Sequence, residues 1–319
     1  TDQETFALLS KGLSSAVFQF ESQGMQNILK RVKPTKVEEL IALNALYRPG
    51  PMDYIDQFIA SKQDPSKIKY PHPSLEDILS ETYGVIVYQE QVMQVAQRIA
   101  GYTLGQADML RRAMSKKKDM ESYKVTFIEG ALKQGYSKEV AEHVFEILIP
   151  FSGYGFNKSH AAVYAILAFQ TAYLKTHFAA EFMAANLTNE ITSVDKLPEY
   201  LEETRKLNIQ ILPPHVNSSD VYFSVKDGNI IFGFLGIKGI GEQAAITIVN
   251  EREKEGEYKS FIDFLDRVDL HIVTKKTLES LINTGCFDSL GETRATLITN
   301  MERAVAFSNQ KKEGQETGQ

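Results

Sequence analysis

Three short stretches combine cations, glycines and helix starts in a way that suits phosphate. In GYGFNKSH (153–160), Asn157 is placed to cap a helix, which puts Lys158, Ser159 and His160 in its first turn, where unpaired amides and the positive dipole end favour anions. A lysine there works against the dipole, and a phosphate would reverse that penalty. His160 and Tyr164 lie four residues apart on one face and offer an aromatic surface for a base. The competing reading makes Tyr154, Phe156 and Tyr164 core aromatics and sends Lys158 outward to water.

In MLRRAMSKKK (109–118), a helix would set Arg112 and Lys116 on one face and Arg111, Ser115 and Lys118 on the next. From Arg98 to Lys118 there are six basic residues and one acid, Asp108, within a chain of net charge −6. Such a face is not self-neutralising and favours polyphosphate or a nucleic-acid backbone; the alternative is a solvated basic surface. The third stretch, GIKGIGE (236–242), has the helix-hairpin-helix pattern. Gly236, Gly239 and Gly241 let backbone amides approach a phosphate, Lys238 adds charge, and no base is read. A weaker second copy is read in TKKTLESLINTGCFDSLG, where Lys275 and Lys276 precede a helix ending at Gly285. A hairpin used only for protein contact competes with both.

The elements that must carry these residues are mostly helices. SHAAVYAILAFQTAYLKTHFAAEFMAANL is apolar on every face and reads as a central, buried helix. TKVEELIALNAL starts with a cap from Thr35 to Glu38 and stops before YRPGP, where the prolines exclude helix and Arg48 is held in a rigid turn. SLEDILSETYG has a capping-box-like start at Ser74 and Asp77, and the helix after GVIVY ends near Gly101. NIQILPPHVNSSD marks a boundary near 207. VYFSVKDGNIIFGF then alternates about Asp-Gly, which predicts strands near 221–225 and 229–233. Helical signals resume to about 307, and the polar NQKKEGQETGQ reads as a mobile tail or linker.

Composition removes several classes of function. At 319 residues with 43% hydrophobic and 24% charged content, the chain reads as about two globular domains. It lacks an apolar run of about 18 residues and the marks of a signal peptide, so a soluble, cytoplasmic protein without membrane contact is expected. The single cysteine, Cys286, has the apolar flanks of a buried thiol. C-x-x-C, H-E-x-x-H and Walker-type loops are missing, and Asp263, Asp266 and Asp269 suit the polar edge of a helix better than a metal site.

FQFESQGM (18–25), ALYRPGPM (45–52), HPSLEDILSETYGVIVYQEQVM (72–93), GYTLGQADMLRRAMSKKK (101–118) and GYGFNKSHAAVYA (153–165) occur in the order found in the alpha subunits of bacterial DNA polymerase III, which this chain closely resembles. The likeness continues through LPPHVNSS and GIKGIGE to CFDSLG (286–291). It implies a mainly α fold: a helical fingers domain over 1–206, a connector with a β-hairpin over 207–233, a tandem helix-hairpin-helix region over 234–291, and a terminal helix with a tail over 292–319. Arg111 and Arg112 resemble fingers arginines near the incoming triphosphate, and Lys158, Ser159 and His160 the helix that closes over it, with Tyr154 and Asn157 shaping its start; Arg48 is read as a further contact or as a structural arginine, and Lys116 as part of the basic face that would meet the nucleotide. Ser115 stands where relatives often have glycine, with little effect expected.

The resemblance also implies primer-template DNA and a dNTP as ligands, and the sliding clamp and other replisome subunits as partners of the full-length protein. The Asp-rich palm segment of the family does not occur in these residues. No catalytic residue and no metal ligand is therefore expected here, Mg2+ belongs to the complete polymerase, and the fragment alone is expected to be inactive. The alternative is a stand-alone, sequence-independent DNA-binding or protein-interaction module.

Overall fold

The computed structural model of the protein describes residues 2–116 and 120–316. Its mainly helical chain divides into two compact units, Thr1–Thr176 and His177–Gln319. The first contains α1 (Gln3–Ser10), α2 (Gln23–Val32), α3 (Val37–Leu46), α4 (Ile55–Gln63), α5 (Glu76–Leu79), α6 (Gln89–Ala100), α7 (Leu104–Lys116), α8 (Met120–Lys133), α9 (Lys138–Tyr154) and all but the last residue of α10 (Lys158–His177).

Local signals set most of these limits. Ser22 and Ser137 accept from Met25 N and Val140 N and so cap α2 and α9. α6 ends at Gly101, whose φ of 64° favours glycine. Two caps differ from the sequence reading. The side chain reaching back to Thr35 N belongs to Glu39, at 2.7 Å, and not to Glu38. Before α5 the capping acceptor is His72 Nδ1, which takes Ser74 N, while Asp77 turns to Arg98 at 2.8 Å.

Two cores fill the first unit. One joins α1 to α4 with one face of α10, and the other joins α5 to α9. α10 is not buried all round. Ala161, Ala165, Ala168 and Ala172 are fully buried, at i, i+4, i+7 and i+11, whereas Val163 and Ile166 are 64% and 48% exposed. The small side chains let this helix approach the first core closely, so its larger apolar residues are left outside. Its position is fixed along its length: Asn44 Nδ2 donates to Ala161 O at 3.3 Å, and the buried Lys175 Nζ donates to Leu13 O and Ser15 O at 2.9 and 2.8 Å.

The second unit comprises α11 (Ala179–Asn189), α12 (Lys196–Lys206), β1 (Ile211–Leu212), β2 (Ser224–Lys226), β3 (Asn229–Ile231), α13 (Glu242–Glu255), α14 (Phe261–Arg267), α15 (Lys275–Asn283) and α16 (Arg294–Glu316). Asp227 and Gly228, at φ 52° and 75°, make the two-residue turn that pairs Lys226 with Asn229. β1 adds in parallel to β3, a pairing the sequence did not announce. The division into units falls ahead of the boundary expected near 207, because α11 and α12 pack on this small sheet.

Behind the sheet, Tyr258, Phe264, Phe287 and Phe261 form a chain of edge-on rings with centroids 4.8 to 5.0 Å apart. Cys286 is buried beside them, and burial pushes its thiol up to about 11, which suits packing and not nucleophilic chemistry. Residues 309–316, where the sequence reading expected a tail, continue α16, and Lys311 and Lys312 dock on α14. Lys311 pairs with Asp266, and Lys312 Nζ donates to Leu265 O and Val268 O, carbonyls at the end of α14.

Candidate functional site

α10 starts where the sequence places it, and its first turn is already occupied by protein groups. Asn157 Oδ1 accepts from His160 N at 2.8 Å, while Glu90 at the start of α6 accepts from Lys158 N at 3.0 Å and from Asn157 Nδ2 at 2.9 Å. The Lys158 ammonium sits between both carboxylate oxygens of Glu81, at 2.8 and 2.7 Å, and lies 5.5 Å from the centre of the Tyr88 ring. Lys158 and Glu81 keep 39% and 33% of their side-chain surface, so the pair remains reachable from solvent. Tyr88 itself is buried, and burial, with the charges of Glu81 and Glu90, pushes its phenol far above the usual range.

On the other side of this helix start lies a cavity of about 340 Å³ whose wall includes Asn44, Arg48, Phe156, His160 and Tyr164. The Arg48 guanidinium is 4.6 Å from the Phe156 ring centre and its Nε donates to Ala45 O at 2.8 Å. Burial lowers the pKa of this arginine without removing its charge. His160 and Tyr164 are 4.5 Å apart by ring centroids, and Phe18 stacks behind Tyr164 at 5.4 Å. Arg48, His160 and Tyr164, separated by up to 116 positions, thus share one wall.

The basic helix is more nearly neutral than its sequence suggests. Asp108 receives Arg111 at 2.7 Å and Arg112 at 2.8 Å, so one carboxylate serves two guanidinium groups. Arg111 also reaches Gln89 Oε1 at 3.3 Å, and Gln89 N donates to Phe156 O at 3.0 Å. This links α7 to the start of α10 through a residue that sequence reasoning did not single out. Arg112 and Lys116 face solvent, as does Ser159. Lys117, Lys118 and the side chains of Ser115 and Tyr154 lie outside the described residues. Glu81, Gln89 and Glu90 were missed because only the fold brings the loop before α6 against α10; the quoted YQEQ contained two of them without a spacing that gave them a partner.

In the second unit, a single 3-10 turn at Phe234–Gly236 leads into the first hairpin, and Gly241 precedes α13 with no side-chain cap. The amides of Lys238, Gly239 and Gly241 donate to no partner among the described residues. Gly239 has a φ of 97°, and a Cβ there would stand 2.7 Å from Ser280 Oγ, which itself donates to Lys238 O at 3.1 Å. Gly236 has a packing reason to be glycine: a Cβ would meet the Phe232 ring.

The second hairpin runs from Val268 to Thr274, between α14 and α15, and so lies before the lysines. Lys275 and Lys276 occupy the first turn of α15 and do not precede it. Its amides are used internally: Asp269 Oδ1 takes His271 N at 2.8 Å, and Asp269 O takes Ile272 N and Val273 N. Lys275 pairs with Glu302 at 3.1 Å, whereas the Lys276 chain comes within 3.9 Å of the position a Gly239 Cβ would take.

Asp263, Asp266 and Asp269 are engaged with Arg267, Lys311 and the His271 amide respectively. No helix among the described residues is long and apolar enough to cross a membrane.

Comparison with known proteins places the chain in one family. Residues 1–135 match the bacterial DNA polymerase III alpha subunit finger domain, and residues 208–297 match a helix-hairpin-helix motif family. DNA polymerase III subunit alpha of Treponema pallidum is 61% identical over 98% of this chain, that of Borreliella burgdorferi 54% over 100%, and that of Halalkalibacterium halodurans 45% over 99%. The chain spans 27 to 28% of the length of these relatives. It belongs to the family of bacterial DNA polymerase III alpha subunits, of which it carries the finger domain and a helix-hairpin-helix region.

Proposed function

We propose that these residues are the substrate-holding part of a DNA-directed DNA polymerase, binding a dNTP at the start of α10 and the backbone of primer-template duplex at the first hairpin. The observation that supports this best is the shared wall of Arg48, Phe156, His160 and Tyr164: a cation and stacked rings line one cavity beside a helix N-terminus. Lys158, Asn157, Ser159 and Arg111 stand around that start and would neutralise and orient the polyphosphate, with Arg112 and Lys116 contributing from the exposed side of α7 and Tyr154 from the end of α9. At the hairpin, the donor amides of Lys238, Gly239 and Gly241 with the Lys238 and Lys276 ammonium groups suit phosphates and carry no base code.

Among the described residues no three His, Cys, Asp or Glu side chains gather as a metal site. In this reading Mg2+ belongs to the longer polypeptide, and no chemical step is assigned to the described residues. Nucleotidyl transfer, clamp contact and replisome assembly belong, in this reading, to the longer polypeptide, and residues 1–319 alone hold substrate without turning it over.

Steady-state incorporation by the full-length polymerase tests the nucleotide role. Lys158→Ala and His160→Ala are expected to raise the dNTP KM or lower kcat about tenfold or more, the loss typical of an oriented phosphate contact, with duplex Kd unchanged. Normal incorporation by both variants would leave only a DNA-binding or interaction module.

A further inference from the structure

Two of the lysine–glutamate pairs in the first unit are of opposite character. Glu39 is fully buried and receives Lys62 Nζ at 2.7 Å, Tyr83 Oη at 2.5 Å and Thr35 N at 2.7 Å, so its oxygens are committed from several directions. Glu81 has the Lys158 ammonium on both oxygens and remains one-third exposed at the edge of a polar cavity it shares with Asp77, Gln94 and Arg98. A carboxylate bridging one lysine in this way presents the same charge and two-oxygen geometry as the edge of a phosphate. Nine residues along the chain, Glu90 does the same for the Lys158 amide. These contacts compensate the Lys158 cation before any polyphosphate arrives.

We propose that Glu81 is a placeholder: it holds the Lys158 ammonium until a polyphosphate arrives and takes its place, so that binding is an exchange of one anion for another. The proposal rests on the nucleotide reading given above. The placeholder positions Lys158 before substrate arrives, and the exchange sets a threshold that a singly charged anion does not pass, while a triphosphate, with further contacts to α10 and α7, does. Because the Glu81–Lys158 pair keeps more than a third of its surface on average, its release is readily reversible.

The test uses the full-length polymerase carrying Glu81→Gln, Lys158→Ala and both changes together, with dNTP KM, kcat and the inhibition constant of inorganic tripolyphosphate measured for each. Glu81→Gln is expected to lower KM about two- to fivefold, the range an exposed ion pair can withhold, and to tighten tripolyphosphate inhibition equally. In the double variant the gain should vanish, since the lysine that Glu81 occupied is gone. A rise in KM on Glu81→Gln, with Lys158→Ala also raising KM, would overturn the placeholder and leave the nucleotide site standing. An unchanged KM in Lys158→Ala would overturn the site itself. Should Glu81→Gln fold poorly, Glu81→Asp, which keeps the charge and shortens the reach, is expected to lower KM in the same direction by less; an unchanged or raised KM would count against the proposal.

Discussion

The two helix starts most suited to phosphate, at α10 and at α13, are built in opposite ways. The first is closed by its own side chains: Asn157 caps it, Glu90 takes its leading amide and Glu81 takes its lysine. The second is open: Gly241 offers no side chain, and neighbouring amides of the hairpin have no partner among the described residues. The difference fits the two proposed ligands. A nucleotide must arrive and leave at each cycle, which a competing internal anion makes reversible and selective. Duplex backbone is gripped continuously at whatever sequence passes, for which standing donors are better.

The contrast between locked and replaceable carboxylates can be sharpened by acid. Burial alone would raise the Glu39 carboxyl, but hydrogen bonds from Lys62, Tyr83 and Thr35 outweigh it and hold the group below its ordinary 4.5. Its contribution to stability is therefore complete above about pH 4.5 and is lost as pH falls through the lower folded value. Glu39→Gln should cost about 3 kcal/mol at neutral pH, by stranding Lys62 in a largely buried place, and should flatten the acid limb of a Tm titration. Equal acid sensitivity in both proteins would remove Glu39 from the locked class.

The open start is broken most directly at Gly239. Alanine there must adopt a φ of 97° with its Cβ against Ser280, so we expect a loss of about 1–3 kcal/mol in stability and at least tenfold weaker duplex binding. Full duplex affinity in a folded Gly239→Ala would show that the hairpin does not touch backbone. The second hairpin gives the smallest effect. Lys275→Ala breaks only an exposed pair with Glu302 and should change stability by less than about 0.5 kcal/mol and duplex Kd by less than about twofold, measured by thermal melting and by titration at two salt concentrations.

What the sequence disclosed and what it concealed divide along the range of the interactions. The end of α6 at Gly101, the Asp227-Gly228 turn, the Asn157 cap and the first hairpin depend on residues within about four positions, and each was readable. The closure of the α10 start was not, since Glu81 and Glu90 lie 77 and 68 positions from Lys158. The exposure of Val163 and Ile166 was hidden for a related reason: an alanine stripe carries less hydrophobicity than the face it leaves outside, so the pattern pointed to burial on all sides. The docking of residues 311 and 312 on α14 likewise depends on the Asp266 carboxylate and two carbonyls more than 40 positions away.

In the proposed reading, the start of α10 serves nucleotide and the hairpin before α13 serves duplex. The most direct test of that reading measures dNTP KM and duplex Kd side by side in full-length polymerase carrying Lys158→Ala or Lys238→Ala. We predict that Lys158→Ala raises KM about tenfold and leaves Kd alone, while Lys238→Ala leaves KM alone, weakens every duplex sequence alike and reduces the salt slope of log Kd by about 0.9. Parallel changes in both constants for both variants, or a change in Kd confined to Lys158→Ala, would contradict it.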